Sequence, residues 1–196
     1  MSGVTEIAIA LDKLLKNLTY DSDKGVFRAQ DSRLMILFTD TFVSVQKGIE
    51  SLIGFDTAGM LLYEAYKDAG RLSGKLYLKN MKTENKSSDT IKLALDFTRA
   101  LAWGRWEASE FDQSKALFIV RESPIAESYG KSDRAVCHQI RGLIAGFAEF
   151  FAGSRRESVE VMCKAKGDDH CEFLVASPEN ITKLTLERLE KDGSKR

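Results

Sequence analysis

Apolar side chains recur at helical spacing through the first half of the chain and at strand spacing through much of the second. Residues 4–16 place Val4, Ile7, Leu11, Leu14 and Leu15 on one face, which predicts a helix. After an Asp/Ser/Lys turn, residues 25–29 read as a short strand. The segment 32–53 carries Leu34, Ile36, Leu37, Phe38, Phe42, Val45, Ile49 and Leu52, a pattern that predicts one long helix capped at its end by Gly54. Helices are also expected from about Thr57 to Ala69, stopped by Gly70, and over 71–81. The polar stretch 80–89 predicts a mobile loop, and Ser88 or Asp89 can cap a helix running to about Trp103, broken by Gly104.

Beyond Gly104 the period changes to two. Trp106, Ala108 and Phe111 give an imperfect strand, residues 116–121 a better one, and the Asp112–Lys115 link predicts a hairpin. A helix is expected over 134–152 after Ser132 and Asp133, with Val136, Ile140, Leu143, Ile144, Phe147 and Phe151 on its apolar face. Gly142 and Gly146 lie four apart on it, the spacing for close approach of another element in soluble packing. A second hairpin, 157–165 and 170–176, turns through residues 166–169, and Ser177-Pro178 opens a short terminal helix before a disordered tail. Consecutive hairpins imply antiparallel pairing, so the fold class is α+β, with helices packed on one antiparallel sheet.

Composition narrows the function classes. Lys plus Arg and Asp plus Glu number 29 each, a formal net charge of zero, and no basic stripe argues for nucleic acid. The apolar N-terminal stretch is interrupted by Glu6 and Asp12, unlike a secretory signal. No run of about 18 apolar residues predicts a membrane-spanning helix. An odd count of 3 cysteines fits a reducing, cytoplasmic setting better than a disulfide framework.

All three cysteines fall in a C-x22-E-x2-C-x7-C pattern: Cys137, Glu160, Cys163 and Cys171. Three thiolates and a carboxylate make a tetrahedral donor set for zinc. With the last hairpin centred on Gly167, Cys163 and Cys171 face each other across its strands, close enough to share an ion. Cys137 is placed in the first turn of the preceding helix, where the dipole favours a thiolate. Glu160 is three residues from Cys163, so in a regular strand the two point to opposite faces, and a bulge, or a strand that starts after Glu160, is needed to bring them together. Asp168, Asp169, His138 and His170 stand as rival fourth ligands, and buried packing is the plain alternative for the cysteines.

The string from Glu160 to Phe173 resembles the E-x-x-C-x-A-x-G-[DN]-x-x-C-x-F signature of 4-vinyl reductase domains, and Cys137 with its glycine-containing helix is similar to that family's preceding segment. The resemblance covers about residues 25–176, leaving 1–24 as a helical extension and 177–196 as a terminal helix and tail. It implies an α+β ligand-binding fold similar to vesicle-tethering (TRAPP-type) subunits. It also implies a zinc ion held by Cys137, Glu160, Cys163 and Cys171 beside an enclosed hydrophobic pocket. Members act as aromatic-responsive sensors, as stand-alone archaeal proteins and in bacteriochlorophyll synthesis. The motor ATPase and DNA-binding domains of the sensors have no counterpart here.

Trp103, Trp106, Phe118 and Phe147 are the candidate pocket residues, chosen as large apolar groups near the metal segments, with ordinary core packing as the alternative. The expected function is a non-catalytic, zinc-containing domain binding a small hydrophobic ligand and acting as a sensor or regulator, through a homodimer or a separate output protein. Two alternatives are a tethering-type interaction scaffold and a tetrapyrrole vinyl reductase. Against the last, no dinucleotide fingerprint and no nucleophile–base pair is present.

Overall fold

The computed structural model describes residues 16, 18–29, 32–81, 84, 86, 88–111 and 114–193. The helix expected over 4–16 falls almost wholly outside the described residues, as do most of the polar loop before Ser88, the centre of the first hairpin turn and the last three residues of the tail. The fold is α+β. Three short strands, β1 (Leu18–Asp21), β2 (Val26–Ala29) and β3 (Ser32–Leu34), form one antiparallel sheet. Helices α1 (Thr39–Ile53), α2 (Phe55–Met81) and α3 (Ser88–Ala100) follow. The main sheet has the order β4-β5-β7-β6, from β4 (Arg105–Phe111), β5 (Lys115–Arg121), β6 (Glu157–Met162) and β7 (Cys171–Ala176). Between its hairpins lie α4 (Pro124–Tyr129) and α5 (His138–Ala152), and α6 (Ile181–Gly193) closes the described chain.

β7 is buried at all six positions because both faces of the sheet are covered. On one face Cys171, Phe173 and Val175 join Phe118, Val120, Ile140 and Ile144 in the main core, beneath α5. On the other, Leu117, Val161 and Leu174 pack with Ile181 and Leu184 of α6. The one charge on that second face of β7, Glu172, is paired to Arg188 of α6 at 2.7 Å.

Several expectations change. Residues 32–34 are strand, paired to β2 with Phe27 opposite Leu34, and the helix begins only at Thr39. The cause is legible in Leu34–Phe38: five consecutive apolar residues fit a strand or extended segment as well as a helix. β1 also lies within the segment assigned as a helical extension. Gly70 does not stop a helix, and α2 runs unbroken through it. Its value is contact: a Cβ there would sit 2.3 Å from the Leu143 carbonyl oxygen of α5. Reciprocally, a Cβ at Gly142 would lie 2.4 Å from Tyr63 O, and one at Gly146 only 1.9 Å from Lys67 O. The two helices therefore meet backbone to backbone.

α3 stops at Ala100, before Trp103, as Ala102 turns to φ 61° and Trp103 N donates to Thr98 O. α4 was not expected. Ser123 caps it by accepting from Ala126 N at 3.3 Å, with Pro124 in the first turn. α5 starts at His138, four residues later than expected, and α6 starts at Ile181, after a turn bonded to Ser177 O.

Candidate metal centre

The ligand atoms of Cys137, Glu160, Cys163 and Cys171 all lie within 4.8 Å of one another. Each comes from a different local device. Cys137 is the N-cap of α5, so its backbone N–H is outside the helical ladder and donates to Glu160 Oε2 at 2.9 Å. Glu160 is opposite Phe173, yet the next pair is Met162 with Glu172, so Val161 is an extra residue in β6. This bulge is the register change that sends Glu160 and Cys163 to the same site.

β6 ends at Met162, paired with Glu172, so Cys163 follows at the position opposite Cys171, which pairs on its other side with Val120. A 3-10 turn over Lys164–Lys166, closed by Gly167 at φ 101°, carries Cys163 back over the end of β7. Only glycine takes that left-handed conformation without strain. Lys166 N and Gly167 N bond to Cys163 O and Lys164 O, which fixes the loop.

The geometry suits a shared ion. Cys137 Sγ and Cys171 Sγ are 3.7 Å apart. Two sulfurs on one tetrahedral zinc, each at about 2.3 Å, stand about 3.8 Å apart. All three cysteines are fully buried and none forms a disulfide. Glu160 Oε1 is buried with no hydrogen-bond partner, an arrangement costly for a carboxylate unless a cation meets it. Backbone donors point at the sulfurs too: Lys164 N lies 3.4 Å from Cys171 Sγ.

The ionisation pattern carries the same message. Hydrogen bonds to Cys163 and Cys171, followed by burial, push the Cys137 thiol well above its usual range. Hydrogen bonds from Cys137 and Cys171 pull Cys163 down against the opposing effect of burial. Cys171 accepts from Cys137, but its bond to Cys163 and its burial raise it overall. Burial, then the Cys163 charge, lifts Glu160 well above the ordinary carboxylate. A dication stabilises all four donors in their deprotonated forms.

The rival ligands Asp168, Asp169, His138 and His170 are not among the four residues whose ligand atoms cluster. Asp168 Oδ2 accepts Cys163 N at 2.8 Å, and so shapes the loop. His170 lies 3.8 Å from Glu172, and the His138 ring packs edge-on against Phe55 at 5.1 Å. One supporting residue escaped the sequence reading: buried Ser123, whose Oγ is 3.6 Å from Cys137 Sγ. Its signal was the Ser-Pro pair at 123–124, the same capping signal read at 177–178.

Of the candidate pocket residues, Phe118 is in the main core with the three cysteines, and Trp103 and Trp106 pack against that core. Trp103 meets Phe42 edge-on at 6.2 Å, and Trp106 Nε1 donates to Trp103 O. Phe147 is elsewhere, stacked on Phe151 beside Tyr77, Leu78 and Ala94. Among the described residues, no helix is long and apolar enough to cross a membrane.

Comparison with known proteins agrees with this architecture. An uncharacterized protein of Methanocaldococcus jannaschii is 28% identical over 127 residues, 63% of this chain and 69% of its own. The phenol-responsive sensory domain of the transcription activator PoxR, solved with phenol, superposes with a TM-score of 0.77 at 16% identity, covering 95% of this chain and 98% of that one. A trafficking protein particle complex subunit 3 from Naegleria fowleri, covalently bound to palmitic acid, gives 0.51 at 14% identity over 70% of this chain and 93% of its own. Residues 117–177, which span most of β5 through β7 and hold all four clustered donors, match the family model of the V4R domain.

Proposed function

We propose that this protein is a non-catalytic sensor or regulatory domain in which a zinc ion, held by Cys137, Glu160, Cys163 and Cys171, clips the last hairpin to α5 beside an apolar ligand site. The observation that carries it is the closed S3O donor set, whose three cysteines lie in the main core against which Phe42, Trp103 and Trp106 pack. Four protein donors leave no open coordination position, so the ion's role is structural. The likeness in fold to a phenol-binding sensory domain supports a small hydrophobic guest. Residues 25–176 form the working unit, flanked by 1–24 and 177–196, although β1 reaches across that boundary to pair with β2. The unit acts in the cytoplasm as a homodimer and passes its signal to a separate output protein. A guest shifts that signal only by binding two conformations with unequal affinity.

A second reading, an interaction scaffold of the trafficking-subunit type, is favoured by the apolar surface left exposed at Ile36, Phe38 and Leu52. One experiment separates the two. The purified protein is titrated with phenol and with a medium-chain fatty acid while Trp103 and Trp106 fluorescence is followed. Saturable quenching by phenol, with a raised melting temperature, supports the sensor; a response to the fatty acid alone, or to neither, favours the scaffold.

A further inference from the structure

Ser123 stands at a corner that the chain has to force. It follows Glu122, one of two non-glycine residues with positive φ among the described residues, at 54°. A side chain with a Cβ takes that conformation at a cost, and keeps it where the surroundings hold it. Here the surroundings are the loop that carries Cys163. Lys164 donates from Nζ to Glu122 Oε2 at 3.0 Å, and Ser132 N donates to Ala165 O at 2.9 Å. The segment 122–132, which holds α4, is thus stitched to the loop 163–167 at both ends.

Between those stitches Ser123 is fully buried, and a buried hydroxyl needs a partner for its proton as well as for its oxygen. The oxygen is served by Ala126 N, the cap of α4. That partner is a donor, so it leaves the hydroxyl proton unspent. The other partner is Cys137 Sγ at 3.6 Å. Capping alone asks only for an oxygen, which aspartate supplies as well. The proton is the part of Ser123 that capping does not use, and the acceptor within its reach is a sulfur of the donor set. The backbone of Cys137 is fixed separately. Its N–H donates to Glu160 Oε2 at 2.9 Å, and the preceding carbonyl, Val136 O, accepts from Gln46 Nε2 at 3.0 Å. What those bonds leave open is the direction of the sulfur.

We propose that Ser123 is a positioning residue of the metal centre: its hydroxyl donates to the Cys137 thiolate, aims that sulfur at the ion and fastens α4 to it. The inference rests on the zinc reading above and adds a residue outside the four donors. A hydrogen bond to a thiolate draws electron density from the sulfur and keeps it unprotonated and in place. The tie runs onward from α4 to α1, since Tyr129 Oη donates to Glu50 at 2.7 Å and Lys47 Nζ donates to Tyr129 O at 2.9 Å.

The test uses the full chain, loaded with cobalt(II) for spectroscopy and with zinc for affinity, the latter in competition with a chromophoric chelator. Ser123→Ala removes the hydroxyl and Ser123→Thr keeps it. Pro124→Ala loosens the same helix start without touching the hydroxyl. In Ser123→Ala the sulfur-to-cobalt charge-transfer band should move to longer wavelength, and zinc should be held about tenfold more weakly, in the range that outer partners of a metal ligand contribute. Ser123→Thr should restore the band, and Pro124→Ala should leave band and affinity at their wild-type values. A capping role alone would lower the melting temperature in both alanine variants and move the band in neither. If Ser123→Ala does not fold, Ser123→Thr and Ser123→Val, alike in shape and different in the hydroxyl, make the same comparison. A band and an affinity unchanged by loss of the hydroxyl would overturn the role of Ser123 and leave the zinc centre standing. A wild type that takes up neither cobalt nor zinc would overturn both.

Discussion

The two ends of this molecule solve the burial of apolar surface in opposite ways. Around β7 everything is closed: the strand is buried on both faces, the cysteines are fully buried, and Glu160 and Asp168 accept from the backbone N–H groups of Cys137 and Cys163. Around α1 the chain buries one face and leaves Phe38, Val45 and Leu52 in solvent. Glycine shows the contrast most simply. At Gly146 there is no room for one further carbon; at Gly48 there is nothing nearby to meet it. The lesson is that stability and association are separated along this sequence: the closed region holds the fold, and the open one has surface to spare for a neighbour.

Four changes break or sharpen that contrast, in descending order of effect. Cys163→Ser or Cys171→Ser should abolish zinc binding and lower the melting temperature by ~10 °C or more, because the free energy of a structural ion is largely folding free energy. Metal analysis and calorimetry on the same samples check both. Gly146→Ala should cost about 3 kcal/mol in a denaturant titration, since its Cβ would be forced against the Lys67 carbonyl and the two helices must separate.

Third, Glu157 ties β6 to α2 by accepting from Tyr63 Oη at 2.5 Å and from Lys67 Nζ at 2.9 Å. Burial alone would raise its carboxyl, but the hydrogen bonds from Tyr63 and Lys67 outweigh this and hold it below 4.5. A depressed folded value means that its contribution is complete above pH 4.5 and is lost as pH falls through the folded value. Glu157→Gln should therefore cost about 2 kcal/mol at neutral pH, where Lys67 keeps only Glu149 at 3.5 Å, and should flatten the acid limb of the stability curve. Urea titrations between neutral and acid pH measure it. Smallest and opposite in sign, Gly48→Ala should stabilise by ~0.5–1 kcal/mol, as a mid-helix glycine replaced where space is open.

Much of the closed region was legible in the sequence. The paired glycines of α5 announced a close approach, and the three-residue gap from Glu160 to Cys163 called for a bulge or a later strand start, of which Val161 supplies the bulge. What was not legible followed from physics that spacing does not record. The run Leu34–Phe38 has no period, so strand, extended segment and helix look alike until the strand finds β2. Gly70 carries the composition of a helix stop, but its neighbour is a backbone in α5, and sequence does not name tertiary neighbours. Counting from Gly167 puts Cys163 opposite Cys171, where the register after Met162 and Glu172 leads, but it does not give the 3-10 turn over Lys164–Lys166. Phe147 shares a helix with the core residues Ile140 and Ile144, yet packs in a different cluster with Phe151.

The most direct test of the account is zinc K-edge X-ray absorption on protein purified without added metal or chelator. The account predicts one zinc per chain with three sulfurs at about 2.3 Å and one oxygen at about 2.0 Å. Protein that folds normally with no bound metal, or an ion surrounded by nitrogen and water, would contradict it.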